Sequence, residues 1–194
     1  MANVTLSYAE MKLVTNASFI LTKNSIINKV YALFGELSNT FKNIATQQYL
    51  PEEVLYTSPK IYRGENYEGL PWVMLDYPRY FKNEDFFAIR VFFWWGNFFS
   101  ITLQLKGKYK TIFQNSFSNI ANDDWFLCLN ENEWQHHFRE DNYKPLALVS
   151  ETELNNLSFI KLAKKIPLTE WNNAEDFFLI YFKQLVKLTS QSVK

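Results

Sequence analysis

The sequence predicts an α+β fold: a single domain in which an antiparallel meander sheet of about four to six strands is packed by N-terminal and C-terminal helices. Three observations favour this fold. Residues 1–48 carry apolar side chains at helical spacing, residues 54–129 contain short aromatic and β-branched runs between turn residues, and residues 130–194 return to helical patterns. A chain of 194 residues can bury a sufficient core as one domain, 1–194, without disulfides or metals.

The N-terminal part, 1–48, is predicted to contain two helices. Ser7 and Glu10 form a capping box in front of a short helix over residues 8–14. A longer helix is expected over residues 24–44, where apolar side chains recur every three or four positions. Gly35 inside this helix costs about 1 kcal/mol relative to alanine, which a close packing contact would explain.

The stretch FFAIRVFFWWGNFFSITLQLKG, residues 86–107, is predicted to be a β-hairpin and not a membrane helix. Arg90 opposes burial in a bilayer, and Gly96-Asn97 between two apolar runs is a tight-turn signal. A two-residue loop at this point would place Arg90 opposite Leu103. The second strand would then have one polar face, formed by Ser100, Thr102 and Gln104.

Shorter patterns predict the remaining elements. Further strands are expected near 72–77, 109–113 and 125–129, with an edge strand within 54–62. In the C-terminal part, 130–194, helices are expected over 131–138, from the Ser150 capping box to about 164, and over 173–188. The FFLIYF segment of the last helix is apolar on nearly all sides, so it lies either deep in the core or at the interface of a homodimer.

Composition excludes several classes of protein. Lys plus Arg and Asp plus Glu number 20 each, so the sequence does not predict nucleic acid as a partner. The single cysteine, Cys128, permits no internal disulfide and fits a reducing compartment, and the N-terminus lacks the pattern of a signal peptide, so a cytoplasmic protein without a membrane partner is expected. The sequence contains no GxSxG, Walker A, GxGxxG or HExxH pattern and predicts no cofactor.

The strongest candidate for a binding site mixes arginines and acidic residues with tyrosine and tryptophan between residues 62 and 85. Aromatic rings can stack on a ligand, and an arginine can hold a carboxylate or a phosphate. The competing explanation is a tyrosine-rich loop whose rings are buried and whose hydroxyls stay in water. The candidate ligand-binding residues, with one from the hairpin, are Tyr62, Arg63, Trp72, Asp76, Arg79 and Arg90.

Asp76 and Arg90 are charged residues inside predicted apolar strands. A buried charge must be paired or hydrogen-bonded, so a structural ion pair is the first hypothesis and an anion-binding Arg90 in a pocket is the second. The strand register decides between them. If Tyr77 pairs with Phe86, Asp76 lies away from Arg90, and a slip of one residue brings them to the same face.

The segment ENEWQHHFRED contains both histidines of the chain. Glu133 and His137 are weak candidates for metal ligands, because four-residue spacing on a helix places them on one side. No further histidine exists to complete a site, so His137 is interpreted as a packing residue, with His136 facing solvent near Glu140. Cys128 is interpreted as a small buried hydrophobic residue.

These patterns favour a noncatalytic module that binds a small ligand or a protein partner of unknown identity. Its binding face would combine residues 62–79 with the polar side of the second hairpin strand. The alternative is a small enzyme with an acid–base or metal site built from Arg, Asp and His side chains. A concave site that gathers these charges would favour a ligand, whereas a flat apolar surface would favour a protein partner.

Overall fold

The computed structural model describes residues 4–114, 120 and 124–190 and has the predicted α+β architecture. The helices are α1 (Tyr8–Val14), α2 (Ala17–Ala45), α3 (Glu52–Leu55), α4 (Lys108–Phe113), α5 (Glu151–Asn156) and α6 (Ala174–Ser190). The strands are β1 (Lys60–Tyr67), β2 (Leu70–Lys82), β3 (Asp85–Trp94), β4 (Phe98–Lys106), β5 (Phe126–Cys128), β6 (Tyr143–Pro145) and β7 (Phe159–Pro167). Both predicted capping boxes are present, at the starts of α1 and α5.

The strands form one antiparallel sheet of seven in the order β1-β2-β3-β4-β7-β5-β6, slightly more than the four to six predicted. Strands β1 to β4 form a meander, as expected. The last strand, β7, then inserts between β4 and β5, so the sheet is not a meander throughout. Because β7 lies in the middle of the sheet, its first half is buried on both faces.

Helices α2 and α6 cover one face of this sheet. Helix α2 buries a stripe of apolar side chains, and Phe41 in it stacks on Phe182 of α6 with ring centroids 3.7 Å apart. Phe177, Phe178 and Phe182 are buried, so most of the FFLIYF segment belongs to the core. None of the helices in the described part of the chain has the length and apolar character required to cross a bilayer.

The hairpin of β3 and β4 has a different register from the predicted one. Its loop contains three residues, with Gly96 at a φ of 71°, and Trp94 pairs with Phe98. Arg90 is therefore opposite Thr102 and not Leu103. The one-residue difference places apolar residues of both strands toward the helices, and it places Arg90 on the same face as the polar row of β4.

Three further predictions were wrong. Residues 109–113 belong to α4, which follows the positive-φ residue Gly107, and not to a strand. Residues 131–138 form an irregular segment, and α5 ends at Asn156, after which residues 159–167 form β7. The part predicted to be helical, 130–194, therefore also supplies two strands, because burial between neighbouring strands outweighs the helical spacing of its sequence.

Candidate functional site

The second face of the sheet is covered by residues 129–142, here named the covering loop. Its ends are joined by a hydrogen bond from the Leu129 amide to the Asn142 carbonyl, 2.9 Å long. The hydroxyl of Tyr67, at the end of β1, accepts hydrogen bonds from the amides of His136 and His137 at 2.7 and 3.1 Å. Strand β1 therefore helps to determine where the loop places its side chains.

A buried lysine and a glutamate hold the middle of the covering loop. The Lys161 ammonium group, on β7, donates to the carbonyl of Glu133 at 2.9 Å and also to that of Gln135. The Glu133 carboxylate in turn accepts from Gln104 at 2.8 Å and from Lys106 at 3.3 Å. Burial, with the nearby charge of Arg90, lowers the pKa of Lys161 to about 7. These contacts position Trp134, which lies between the two carbonyls.

A cleft of about 360 Å³ opens between the covering loop and the first three strands. Its walls are mostly aromatic or thioether side chains, so we name it the aromatic cleft. These are Tyr62, Tyr67, Trp72, Met74, Phe92 and Trp134. Its polar groups are few and come from Asn66, Arg90 and His136. Apolar walls with a small number of polar groups are typical of small-molecule sites.

The wall formed by Trp72 depends on a glycine in the neighbouring strand. Gly64 pairs with Trp72, and a Cβ atom at Gly64 would lie 2.6 Å from atoms of the Trp72 indole. The indole therefore lies directly over the glycine backbone and meets the ring of Tyr62 edge-on, with centroids 5.6 Å apart. A side chain at Gly64 would displace the indole from this position.

Arg90 lies at the floor of the aromatic cleft, paired with Asp76. The Arg90 Nε donates to Asp76 Oδ1 at 2.7 Å and Nη2 donates to Oδ2 at 3.0 Å, and both side chains are 4% exposed. Tyr62 adds a third hydrogen bond, from its hydroxyl to Asp76 Oδ2 at 2.8 Å. The structural ion pair, the first of the two hypotheses for Arg90, is therefore present, and the same Arg90 lines the cleft.

A second cleft of about 200 Å³ adjoins the first and shares Tyr62, Arg90 and Trp134 with it. We name it the cationic cleft because Lys60 and Arg79 also line it. The Arg90 guanidinium lies 5.6 Å from the ring centroid of Trp134, at the junction of the two clefts. The two clefts thus form one concave surface with an aromatic part and a basic part.

Five of the six predicted ligand-binding residues line these clefts, and Arg63 does not. Tyr62, Trp72, Asp76, Arg79 and Arg90 come together on the loop-covered face. Arg63 alternates to the opposite face of β1, where its guanidinium lies 5.5 Å from the ring of Tyr31 in α2. The polar row of β4, expected to form part of the binding face, lies instead beneath the covering loop, where Gln104 bonds Glu133.

The two histidines lie in the covering loop and not on a helix. Without the helix, the four-residue spacing of Glu133 and His137 does not place them on one side, and no group of three metal-ligating side chains exists within the described residues. His137 is buried, as interpreted from the sequence. His136 was expected to face solvent, but its ring is half-buried, 5.1 Å from that of Phe92 and 5.6 Å from that of Tyr67.

Two titratable side chains that line the aromatic cleft, Tyr62 and His136, are neutral near pH 7. Burial raises the pKa of Tyr62, and the neighbouring Asp76 carboxylate adds to this effect, so Tyr62 is a neutral donor. Burial, together with the charges of Lys161 and Arg90, lowers the pKa of His136 well below its ordinary value, so this imidazole is neutral. Cys128 lies fully buried in β5, and burial raises its pKa.

Several residues of the site were not identified from the sequence. Trp134 and His136 line the aromatic cleft, and Lys161 holds the loop that carries them. Asn66 and Tyr67 also line it; they lie within the predicted binding segment 62–79 but were not among the six candidate residues. The sequence contained one signal for Lys161. It is a charged residue inside the apolar run FIKLA, residues 159–163, just as Arg90 is a charged residue inside an apolar strand. An assignment of residues 159–164 to a strand would have revealed it.

A comparison of the chain with models of known protein families, with curated proteins and with solved structures finds no match.

Proposed function

We propose that this protein is a noncatalytic binding module whose aromatic cleft takes a small ligand with a flat apolar part. The observation that supports this most directly is the cleft itself, about 360 Å³ in volume, with aromatic walls and the paired Arg90 at its floor. Rings such as those of Trp72 and Trp134 offer large, rigid apolar surfaces for stacking. The ion pair fixes Arg90 while leaving other guanidinium hydrogens free to donate to a ligand.

The chemistry of the site favours binding over catalysis. Asp76 accepts hydrogen bonds from both Arg90 and Tyr62, so its oxygens are occupied as acceptors. A general base needs a pKa near the working pH and reach to the substrate, whereas the pKa of the cleft's imidazole, His136, is well below its ordinary value. The alternative proposal of an acid–base enzyme has no comparable support in this geometry.

The single, buried thiol of Cys128 supports a reducing compartment, so we place this function in the cytoplasm. The equal numbers of basic and acidic side chains do not support a function in nucleic-acid binding.

Calorimetric titration with 2-naphthamide, an uncharged bicyclic probe, tests the proposal. We expect saturable binding at one site in the wild type and a loss of affinity of about tenfold or more in Trp72→Ala, because stacking area is removed. Tyr49→Ala is the matched control, since Tyr49 is an aromatic residue that is 82% exposed and lies outside the cleft. Equal binding by wild type and Trp72→Ala would contradict the proposal, as would a wild type that binds neither 2-naphthamide nor a charged naphthyl compound.

A second candidate function is self-association through α1 and the first turns of α2. Every residue from 4 to 22 is exposed, and apolar side chains line a groove of about 410 Å³ there. A second copy fits this surface because a two-fold contact would place the apolar groove of each copy against that of the other. Sedimentation equilibrium tests self-association. We expect the wild type to be a dimer and Phe19→Glu to be a monomer. A monomeric wild type would exclude this second function.

A further inference from the structure

The cationic cleft has an excess of positive charge. Three basic side chains line it, from Lys60, Arg79 and Arg90, against the single carboxylate of Asp76. Arg90 neutralises that carboxylate through its two hydrogen bonds. Two cations, Lys60 and Arg79, are therefore left without compensation at this part of the surface.

Arg79 has an unsatisfied donor at this position. Its Nε is buried and has no hydrogen-bond partner, although its backbone amide donates to the Thr57 hydroxyl at 3.0 Å. Within residues 4–114, 120 and 124–190, neither Lys60 nor Arg79 takes part in an ion pair. A buried N–H group without an acceptor is unfavourable, so a ligand group that accepts this hydrogen bond would be favoured here.

The acidic residues of β1 and its turn do not supply this acceptor. Glu65 is paired with Lys23 of α2, and Glu68 is paired with Arg139 at the end of the covering loop. Because Glu65 and Glu68 are paired elsewhere, neither carboxylate offsets the positive charge of Lys60 and Arg79. Aromatic rings surround it instead: the Arg79 guanidinium lies 5.8 Å from the ring of Phe81, and the Lys60 ammonium lies 5.3 Å from that of Tyr62.

We infer that the ligand is an anion, with its flat apolar part in the aromatic cleft and a carboxylate or phosphate group in the cationic cleft beside Arg79 and Lys60. The inference rests on the proposed function and names the chemical class of its ligand. The shared lining by Tyr62, Arg90 and Trp134 allows one small molecule to reach both clefts. A guanidinium group matches the geometry of either anion and donates to it through charge-assisted hydrogen bonds.

Calorimetry with three probes of the same ring system tests the inference. The probes are 2-naphthamide, 2-naphthoate and 2-naphthyl phosphate, which are uncharged, a carboxylate and a phosphate. We expect at least one anionic probe to bind the wild type about tenfold more tightly than the amide, since charge-assisted hydrogen bonds are about twice as strong as neutral ones. The better anion identifies which of the two groups the cleft takes.

Two arginine variants test whether the cationic cleft is the source of the preference for an anionic probe. In Arg79→Gln we expect the preference for the anionic probe over the amide to fall to about twofold or less, because the charged donor is removed. Arg63→Gln is the matched control, because Arg63 lies on the other face of β1, over Tyr31, and it should retain the wild-type preference. Thermal unfolding of each variant confirms that it is folded before it is titrated.

The outcomes separate the two proposals. If the amide binds and neither anion binds more tightly, the ligand is not anionic and this inference is overturned, while the proposed function stands. If no probe binds the wild type, the proposed function fails and this inference fails with it. If Arg63→Gln loses the preference as Arg79→Gln does, the effect is long-range attraction and the cationic cleft is not its source.

Discussion

Arg90 and Asp76 lie directly opposite each other on β3 and β2 and form two hydrogen bonds, at 2.7 and 3.0 Å, between buried side chains. Burial opposes the charge of Arg90, but the adjacent carboxylate outweighs it and raises the pKa of Arg90. A shift of either strand by one residue would leave both charges buried without a partner. The pair therefore fixes the strand register, and it presents one basic group to both clefts.

We expect Asp76→Ala to destabilise the protein by about 3–5 kcal/mol, because Arg90 is left as an uncompensated buried charge. Urea unfolding followed by tryptophan fluorescence measures the loss. The double variant Asp76→Leu/Arg90→Met is the control, since it removes both charges and keeps apolar volume, and we expect it to recover most of the stability. A loss below about 1 kcal/mol in Asp76→Ala would contradict a tightly coupled pair.

The sequence identified this pair as unusual but did not determine its geometry. Charged residues within apolar runs are visible in a sequence, whereas register depends on loop lengths and bulges that strand patterns do not encode. Here, β2 contains a register shift between Asp76 and Arg79, and the hairpin loop at Gly96 has three residues instead of two. Both irregularities change which residues of neighbouring strands face each other. The pairing of these residues therefore could not be predicted from the sequence and was established by the structure.

Helices that are specified by nearby residues were predicted from the sequence, whereas elements that are specified by distant contacts were not. A capping box located α1 and apolar periodicity located α2, because helix signals are local. The covering loop and β7 were missed because contacts distant in the sequence specify them. The Tyr67 hydroxyl accepts hydrogen bonds from amides that are 69 and 70 residues away in the sequence. The Lys161 ammonium group donates hydrogen bonds to carbonyls that are 28 and 26 residues away.

We expect Gly64→Ala to weaken binding of the naphthyl probes and to destabilise the protein by about 1–3 kcal/mol, the usual cost of overpacking. The added Cβ would lie 2.6 Å from the Trp72 indole, which must move out of the wall of the aromatic cleft. Calorimetry and urea unfolding measure the two effects. If Gly64→Ala binds as the wild type does, the position of Trp72 does not determine the shape of the site.

Gly35→Ala is expected to have the opposite effect on stability, a gain of about 0.5–1 kcal/mol, because alanine has the higher helix propensity. Gly35 lies inside α2, and a Cβ added there meets nothing within 4 Å, so close packing does not explain this glycine. Urea unfolding and a titration with 2-naphthoate check the variant. Any loss of stability would show that the helix surface at Gly35 makes a contact essential to the fold.

Lys161 is expected to make stability depend on pH above neutrality. Its pKa is lowered from 10.5 to about 7 in the folded protein, chiefly by burial. Between these values the unfolded chain binds a proton that the folded protein does not, so the free energy of unfolding rises with pH by about 1.4 kcal/mol per unit. Below about pH 7 both states are protonated and this contribution to the slope disappears.

Comparison of the wild type with Lys161→Met isolates this effect, because titratable groups that do not interact with Lys161 contribute equally to both proteins. Urea unfolding of each protein between about pH 7.5 and 9.5 gives the two slopes. We expect the wild type to gain stability over Lys161→Met as the pH rises. A neutral amine keeps two N–H donors for the carbonyls of Glu133 and Gln135, so the covering loop stays in place when Lys161 loses its proton. Parallel pH profiles would mean that Lys161 keeps an ordinary pKa, and the buried lysine would then be charged beneath the loop.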